Sequence, residues 1–123
     1  MSTNATITIE QGGKFVTNYV HYDGYLSHLG KVLVDHFDTI DKASELVFGV
    51  NIRAIEGDGS IERFIETLDE SPFSTYDDYD DLLEHYGQEF NYLLTDAGSE
   101  DGSFRWVYDN GEVEDDLITR GER

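Results

Sequence analysis

The sequence predicts an α+β domain: a mainly antiparallel sheet with two or three helices packed on one face. Three observations carry that reading. Segments near both ends alternate apolar and polar residues with period two or are rich in β-branched and aromatic side chains. Between them, apolar residues recur every three or four positions, the stripe of an amphipathic helix. Glycine, aspartate and asparagine punctuate the boundaries, and neither an internal repeat nor a linker interrupts the 123 residues.

In chain order, Ala5–Glu10 alternates strictly and reads as a strand. Gln11-Gly12-Gly13 supplies a turn, and Lys14–Tyr22 reads as the antiparallel partner. Asp23 is placed to cap a helix carrying Leu26, Leu29, Val32, Leu33 and Phe37 on one stripe. A second helix fits Thr39–Phe48, with Asp38 as its cap, Gly49 as its terminator, and Ile40, Ala43, Leu46 and Val47 inward. Ile61–Leu68 is ambiguous: Ile61, Phe64, Ile65 and Leu68 match a helical stripe, but the run is short and follows a Gly-Asp-Gly turn. Ser71-Pro72-Phe73-Ser74 breaks the chain. Asp77–Gly87 reads as an acidic helix burying Leu82, Leu83 and Tyr86. Phe90–Thr95 and Phe104–Tyr108 read as strands joined through the turn-rich Asp96–Ser103. Asn110-Gly111 marks a further turn, and Val113–Thr119 reads as a last edge strand.

The length fits one domain with a real core. Hydrophobic residues make up 38% and aromatics 13%, which argues for folding, because disordered acidic chains are poor in aromatics. With no cysteine, disulfides and thiolate metal sites are excluded. Neither a secretory leader nor an apolar run of the roughly 20 residues that span a bilayer is apparent, so a cytoplasmic protein without membrane contact is expected.

Charge is unevenly placed. Residues 1–54 carry 6 acids against 4 basic residues, whereas residues 55–123 carry 21 against 4. The net charge of −19 therefore lies almost wholly in the second segment, and it costs stability through self-repulsion. Such a field repels nucleic acid and anionic membrane and attracts a basic protein surface. The densest run is Tyr76-Asp77-Asp78-Tyr79-Asp80-Asp81-Leu82-Leu83-Glu84. On a helix, Asp77, Asp80, Asp81 and Glu84 form a negative stripe. Asp69 and Glu70 precede it, and Glu112, Glu114, Asp115 and Asp116 follow. Tyr76 and Tyr79 among these acids suit an interface. DNA presents one charge per roughly 1.7 Å of axis, and its binding proteins answer with Lys/Arg arrays that a folded carboxylate array can occupy. This is the logic of nucleic-acid mimics that inhibit restriction enzymes, CRISPR effectors or nucleoid proteins. A merely solvated acidic surface, as in high-salt adaptation or in a structural or assembly protein, is the plainer alternative.

Tyr19-Val20-His21-Tyr22-Asp23-Gly24-Tyr25 is the other chemically dense stretch. Tyr19, His21, Asp23 and Tyr25 offer proton transfer or ligand binding. The plainer account gives each a local structural role. His28 and His36 stand about two helical turns apart, too far to share a metal. The loops at Glu56–Ile61 and Ser99–Phe104 lack the first and twelfth ligands of a calcium loop. No phosphate-binding glycine loop or nucleophile elbow is present. An enzyme is thus the lesser reading, and neither cofactor nor metal is expected.

Tyr19–Phe37 resembles small uncharacterised phage and bacterial proteins that share an aromatic-x-His-x-Asp-Gly-Tyr pattern followed by Gly and Leu at helical spacing. It matches at Tyr19, His21, Asp23, Gly24, Tyr25, Gly30 and Leu33, with Leu26 where a proline often follows. Glu89–Leu94 and Phe104–Val107 look like that group's closing strand pair. The resemblance implies an α+β domain of phage or mobile-element origin, tilts Ile61–Leu68 toward a strand, and implies no particular activity. A phage setting makes a host nucleic-acid-binding protein, of the defence or nucleoid kind, the natural basic partner.

Overall fold

The computed structural model describes residues 3–48, 52–63, 74–96, 102–108, 111–119 and 121. Strands β1 (Ala5–Gln11) and β2 (Lys14–Val20) form the expected hairpin, in register from Ala5 opposite Val20 to Gln11 opposite Lys14. The turn is therefore the Gly12-Gly13 pair alone. Their φ angles of 61° and 79° are the left-handed values a two-residue hairpin turn requires and glycine adopts without strain.

Beyond β2 the chain turns through Asp23, enters a π-helical turn at Leu26–Gly30 and continues directly into α1 (Lys31–His36). Asp23 does not cap it: the residue before the helix is Tyr25, and Asp23 takes a left-handed φ of 59° instead. Helix α2 (Ile40–Val47) is capped by Thr39, whose hydroxyl accepts from the Lys42 amide at 3.2 Å. Asp38, the expected cap, pairs with the Lys42 ammonium at 3.3 Å.

Strand β3 (Ile52–Ile55) joins the end of β2 in parallel and forms a hairpin with β4 (Ile61–Arg63). The strand reading of Ile61–Leu68 holds as far as Arg63. Gly49, Phe64–Leu68, Asp69, Glu70, the Ser71–Phe73 break and most of the Asp96–Ser103 turn lie outside the described residues. Strand β5 (Ser74–Tyr76), which the sequence pattern did not reveal, pairs with the first half of β2. Helix α3 (Tyr79–Tyr86) leads to β6 (Phe90–Thr95), β7 (Arg105–Tyr108), β8 (Gly111–Glu112) and α4 (Val113–Thr119). The last element is a helix, not the expected edge strand. Val113 and Leu117, four residues apart, are both fully buried, and that spacing is met by a helix.

The sheet runs β4-β3-β2-β1-β6-β7-β8, with β5 also on β2. It is mixed: β6 lies parallel to β1, as a strand delivered by a crossover helix can. Ala5, Ile7, Ile9, Val16, Val20, Tyr92, Leu94 and Trp106 line one face and form the main core with Leu29, Leu33, Leu46, Val47, Val113 and Leu117 of the helical layer. Burial of each large apolar side chain is worth about 1.5–3 kcal/mol.

The alternating threonines fall on the second face, and they are not solvated. Thr6, Thr8 and Thr17 are fully buried there beside Asn91, Thr95 and Leu93. Their hydroxyls are satisfied laterally, Thr6 to Asn91 at 2.9 Å and Thr8 to Thr17 at 3.0 Å. Helix α3 packs on this face. Phe15, on the face opposite Val16, meets Tyr79 with ring centroids 5.5 Å apart, and Tyr76, directly across from Phe15, stacks with His85. Three helices, α1, α2 and α4, thus pack on one face as expected, and α3 is added on the other.

Candidate functional site

The acidic run around α3 divides by role. Asp77 precedes the helix and bridges Lys14 across the exposed surface. Asp78 is the N-cap, its carboxylate accepting from the Asp80 amide at 2.9 Å. Asp80 and Asp81 sit in the first turn, where negative charge meets the positive end of the helix dipole, and Glu84 follows one turn later. All five are exposed, while Leu82 on the inner side is fully buried. No ion pair joins Asp80, Asp81 or Glu84 among the described residues. Tyr76 and Tyr79 are half-buried and use their rings to seat the helix on β2 and β5, so they are mortar for this layer rather than an open interface.

The second acidic group lies elsewhere. Glu114, Asp115 and Asp116 form the first turn of α4, which packs on α1, the π turn and β7–β8 in the other helical layer. Asp116 accepts from the Tyr108 hydroxyl, and Glu112 lies 3.8 Å from Arg105 Nε. The sheet thus separates Glu114, Asp115 and Asp116 from the acids of α3, while Glu112, directly across from Val107, falls on the same face as Thr95 and Arg105.

The structure splits the aromatic-histidine cluster as well. Tyr19 Oη lies 2.6 Å from His21 Nδ1, and the His21 ring meets Tyr22 edge-on at 4.4 Å. Arg53 stands over the Tyr22 ring at 5.8 Å and 3.6 Å from Glu62. Burial, and secondarily the nearby Tyr22 hydroxyl, pushes the Tyr19 phenol above its ordinary value. Tyr25 belongs to a different pairing, with His28, whose Nε2 lies 2.7 Å from the Ile55 carbonyl. Asp23 is exposed and serves the turn.

Gly24 has a demanding structural place. Its amide donates to the Thr3 carbonyl at 2.9 Å, and its carbonyl accepts from the buried Tyr92 hydroxyl at 2.9 Å. Much of the Tyr19–Tyr25 motif is therefore scaffolding where the hairpin, β6 and the helical layer meet.

One feature that sequence reasoning missed is a rim cleft between the end of α1, β7 and the β8–α4 junction, lined in part by Arg105 and Trp106. Its residues come from positions 34 to 114, so no local pattern announces it. Among the described residues, no group of three His, Asp or Glu side chains is placed to hold a metal ion. No helix among them is long and apolar enough to cross a membrane. Compared with protein families, curated proteins and solved structures, the chain matches none.

Proposed function

We propose that the protein is a non-enzymatic acidic decoy whose α3 surface occupies the basic nucleic-acid-binding surface of a partner protein and excludes its DNA or RNA. One observation carries this: Asp80, Asp81 and Glu84 are exposed together on one helix without a compensating cation among the described residues. Asp80 and Glu84 stand about 6 Å apart along the axis, at roughly 1.5 Å per residue. Phosphates on one DNA strand advance roughly 3.4 Å per step, so the pair matches about two steps. Placing the site on α3 sets aside Glu114, Asp115 and Asp116, which belong to the other helical layer, and Glu112, which is engaged with Arg105 at the sheet edge. The resemblance at Tyr19–Phe37 supplies the phage setting, and with it a host restriction enzyme, CRISPR effector or nucleoid protein as partner, met in the host cytoplasm.

The test is capture from host lysate on the immobilised protein at low salt, beside the variant Asp80→Asn, Asp81→Asn, Glu84→Gln. Support is a nucleic-acid-binding protein retained by the wild type, released by added duplex DNA and by salt, and lost from the variant. A partner held equally by the variant, or indifferent to competing DNA, refutes the proposal. Asp78 is left intact so that the helix keeps its cap.

A second reading rests on the Tyr19–His21 contact, which gives the protein a poised donor–acceptor pair beside Tyr22 and Arg53. In that reading the cluster binds or processes a small ligand. His21→Ala then abolishes a ligand-induced thermal shift found by screening small metabolites, while leaving the unliganded melting temperature within a few degrees of wild type.

A further inference from the structure

The rim cleft has a chemistry that the α3 reading does not use. Its lining includes Asp38, Phe104, Arg105, Trp106, Glu112 and Glu114, and it offers about 80 Å³ of space. That is roughly half the cavity that takes benzene, and far below the roughly 300 Å³ at which cofactor-sized sites begin. A head group of a few heavy atoms fits; a nucleotide does not.

The walls favour a cation. Three carboxylates face one guanidinium, so the lining carries a formal excess of negative charge that repels anions. Asp38 is only loosely neutralised, because its pair with Lys42 is solvated, with both side chains more than half exposed. The aromatic part is rigid: Trp106 is 3% exposed and its indole N–H is anchored on the Phe37 carbonyl at 2.8 Å. Phe104 is the half-buried ring of the lining, and an aromatic wall beside carboxylates suits a planar guanidinium best, since it packs on such a ring and donates a fork of hydrogen bonds to carboxylates.

We infer that this cleft binds a guanidinium head group, either the arginine side chain of a partner protein or a free alkylguanidine. The inference stands on the cleft alone. Because α3 contributes no residue to the lining, failure of either proposal leaves the other intact.

The experiment is a titration of the isotopically labelled protein at low salt with methylguanidinium and with N-acetyl-arginine amide. The neutral isostere N-acetyl-citrulline amide is the control. Trp106, the only tryptophan, reports through its indole N–H resonance and its fluorescence. The expected result is saturable shifts at Trp106, Phe104 and Glu114 with both guanidinium probes and none with citrulline. Glu114→Gln should weaken binding roughly tenfold, the loss of one charge-assisted hydrogen bond. The α3 triple variant should leave it unchanged. A short peptide with a central arginine that binds at least tenfold tighter than the blocked amino acid identifies a partner side chain; equal affinity identifies a small free ligand. The inference is overturned if Trp106 shows no saturable response, if citrulline matches arginine, or if the α3 variant abolishes binding as fully as Glu114→Gln.

Discussion

Replacing Gly24 by alanine tests whether the His-x-Asp-Gly-Tyr segment is scaffold or active machinery. A Cβ built there meets Ala5 Cβ at 2.7 Å, the Thr3 carbonyl oxygen at 2.9 Å and the Ala5 amide nitrogen at 3.2 Å. Two of these neighbours are backbone atoms at the start of β1, which cannot rotate aside. Relief requires β1 to move away from the turn, and it is held there by the Gly24–Thr3 hydrogen bond at 2.9 Å. Overpacking of this kind costs about 1–3 kcal/mol. Alanine also reduces the freedom of the unfolded chain, a gain of about 0.4–1 kcal/mol. The steric term is the larger, so Gly24→Ala should destabilise by about 1–2 kcal/mol, seen as a lower urea midpoint followed by Trp106 fluorescence. Asp23→Gly is the matched control. It relieves a left-handed residue, which costs roughly 1 kcal/mol in an ordinary side chain, so stability should be unchanged or raised. A Gly24→Ala protein within 0.3 kcal/mol of wild type (about the error of the measurement) would refute the packing argument. An Asp23→Gly protein that loses more than about 1 kcal/mol would show that Asp23 does more than make a turn.

Three further outcomes follow from the same geometry. Leu82→Ala should cost about 2–5 kcal/mol, because Leu82 is the fully buried anchor of α3, and amide exchange should rise in α3 well before it rises in β1. Thr39→Ala should cost about 1 kcal/mol through the lost cap, whereas Asp38→Ala should change stability by less than half of that; equal effects would restore Asp38 as the cap. The hydroxyl and amide of Ser60, with a smaller contribution from the His36 charge, hold the Asp58 carboxyl below its ordinary value. Since its folded value lies below the unfolded one of about 3.9, its contribution is present above about pH 4 and is lost as pH falls through the folded value. Asp58→Asn should flatten the fall in stability between pH 5 and pH 3 measured by denaturation, and an unchanged slope would contradict this.

What was legible in the sequence is what depends on near neighbours. Strands β1, β2 and β6 and helix α2 declare themselves because periodicity, β-branched and aromatic content and flanking turn residues agree locally, although the polar phase of the β1 alternation, Thr6 and Thr8, proves buried. Helix α4 was read as a strand because two buried residues, Val113 and Leu117, carry its whole inward face, and the intervening Glu-Asp-Asp run looks like an exposed edge. Strand β5 is three residues long and exists because β2 offers an unpaired edge. The parallel β1–β6 pair is a long-range match no local pattern encodes. Whether the acids form one face or several is not legible in the sequence, because adjacency in sequence says nothing about which side of the sheet a helix will take.

The second face of the sheet explains why α3 can carry dense charge without endangering the fold. A polar floor of Thr6, Thr8, Thr17 and Asn91 would be costly to bury if its hydroxyls and amide depended on the helix above. They do not. Thr6 pairs with Asn91, Thr8 with Thr17, and Asn91 also closes the chain end beyond α3 through the Gln88 amide and carbonyl, both at 2.9 Å. The β-branched stems meanwhile favour the extended backbone. Helix α3 therefore sits on a floor that satisfies itself, held by Leu82 and by the rings of Tyr79 and Tyr76 on Phe15 and His85. The main core, with its large apolar side chains, lies on the opposite side of the sheet. Repulsion among Asp80, Asp81 and Glu84 is consequently loaded on a separately anchored element, where the first-turn placement of Asp80 and Asp81 offsets part of it through the helix dipole. The anchor of the acidic helix, Leu82, lies outside the main core cluster, so neutralising the outer face of α3 is expected to remove binding while leaving the sheet and its helices folded.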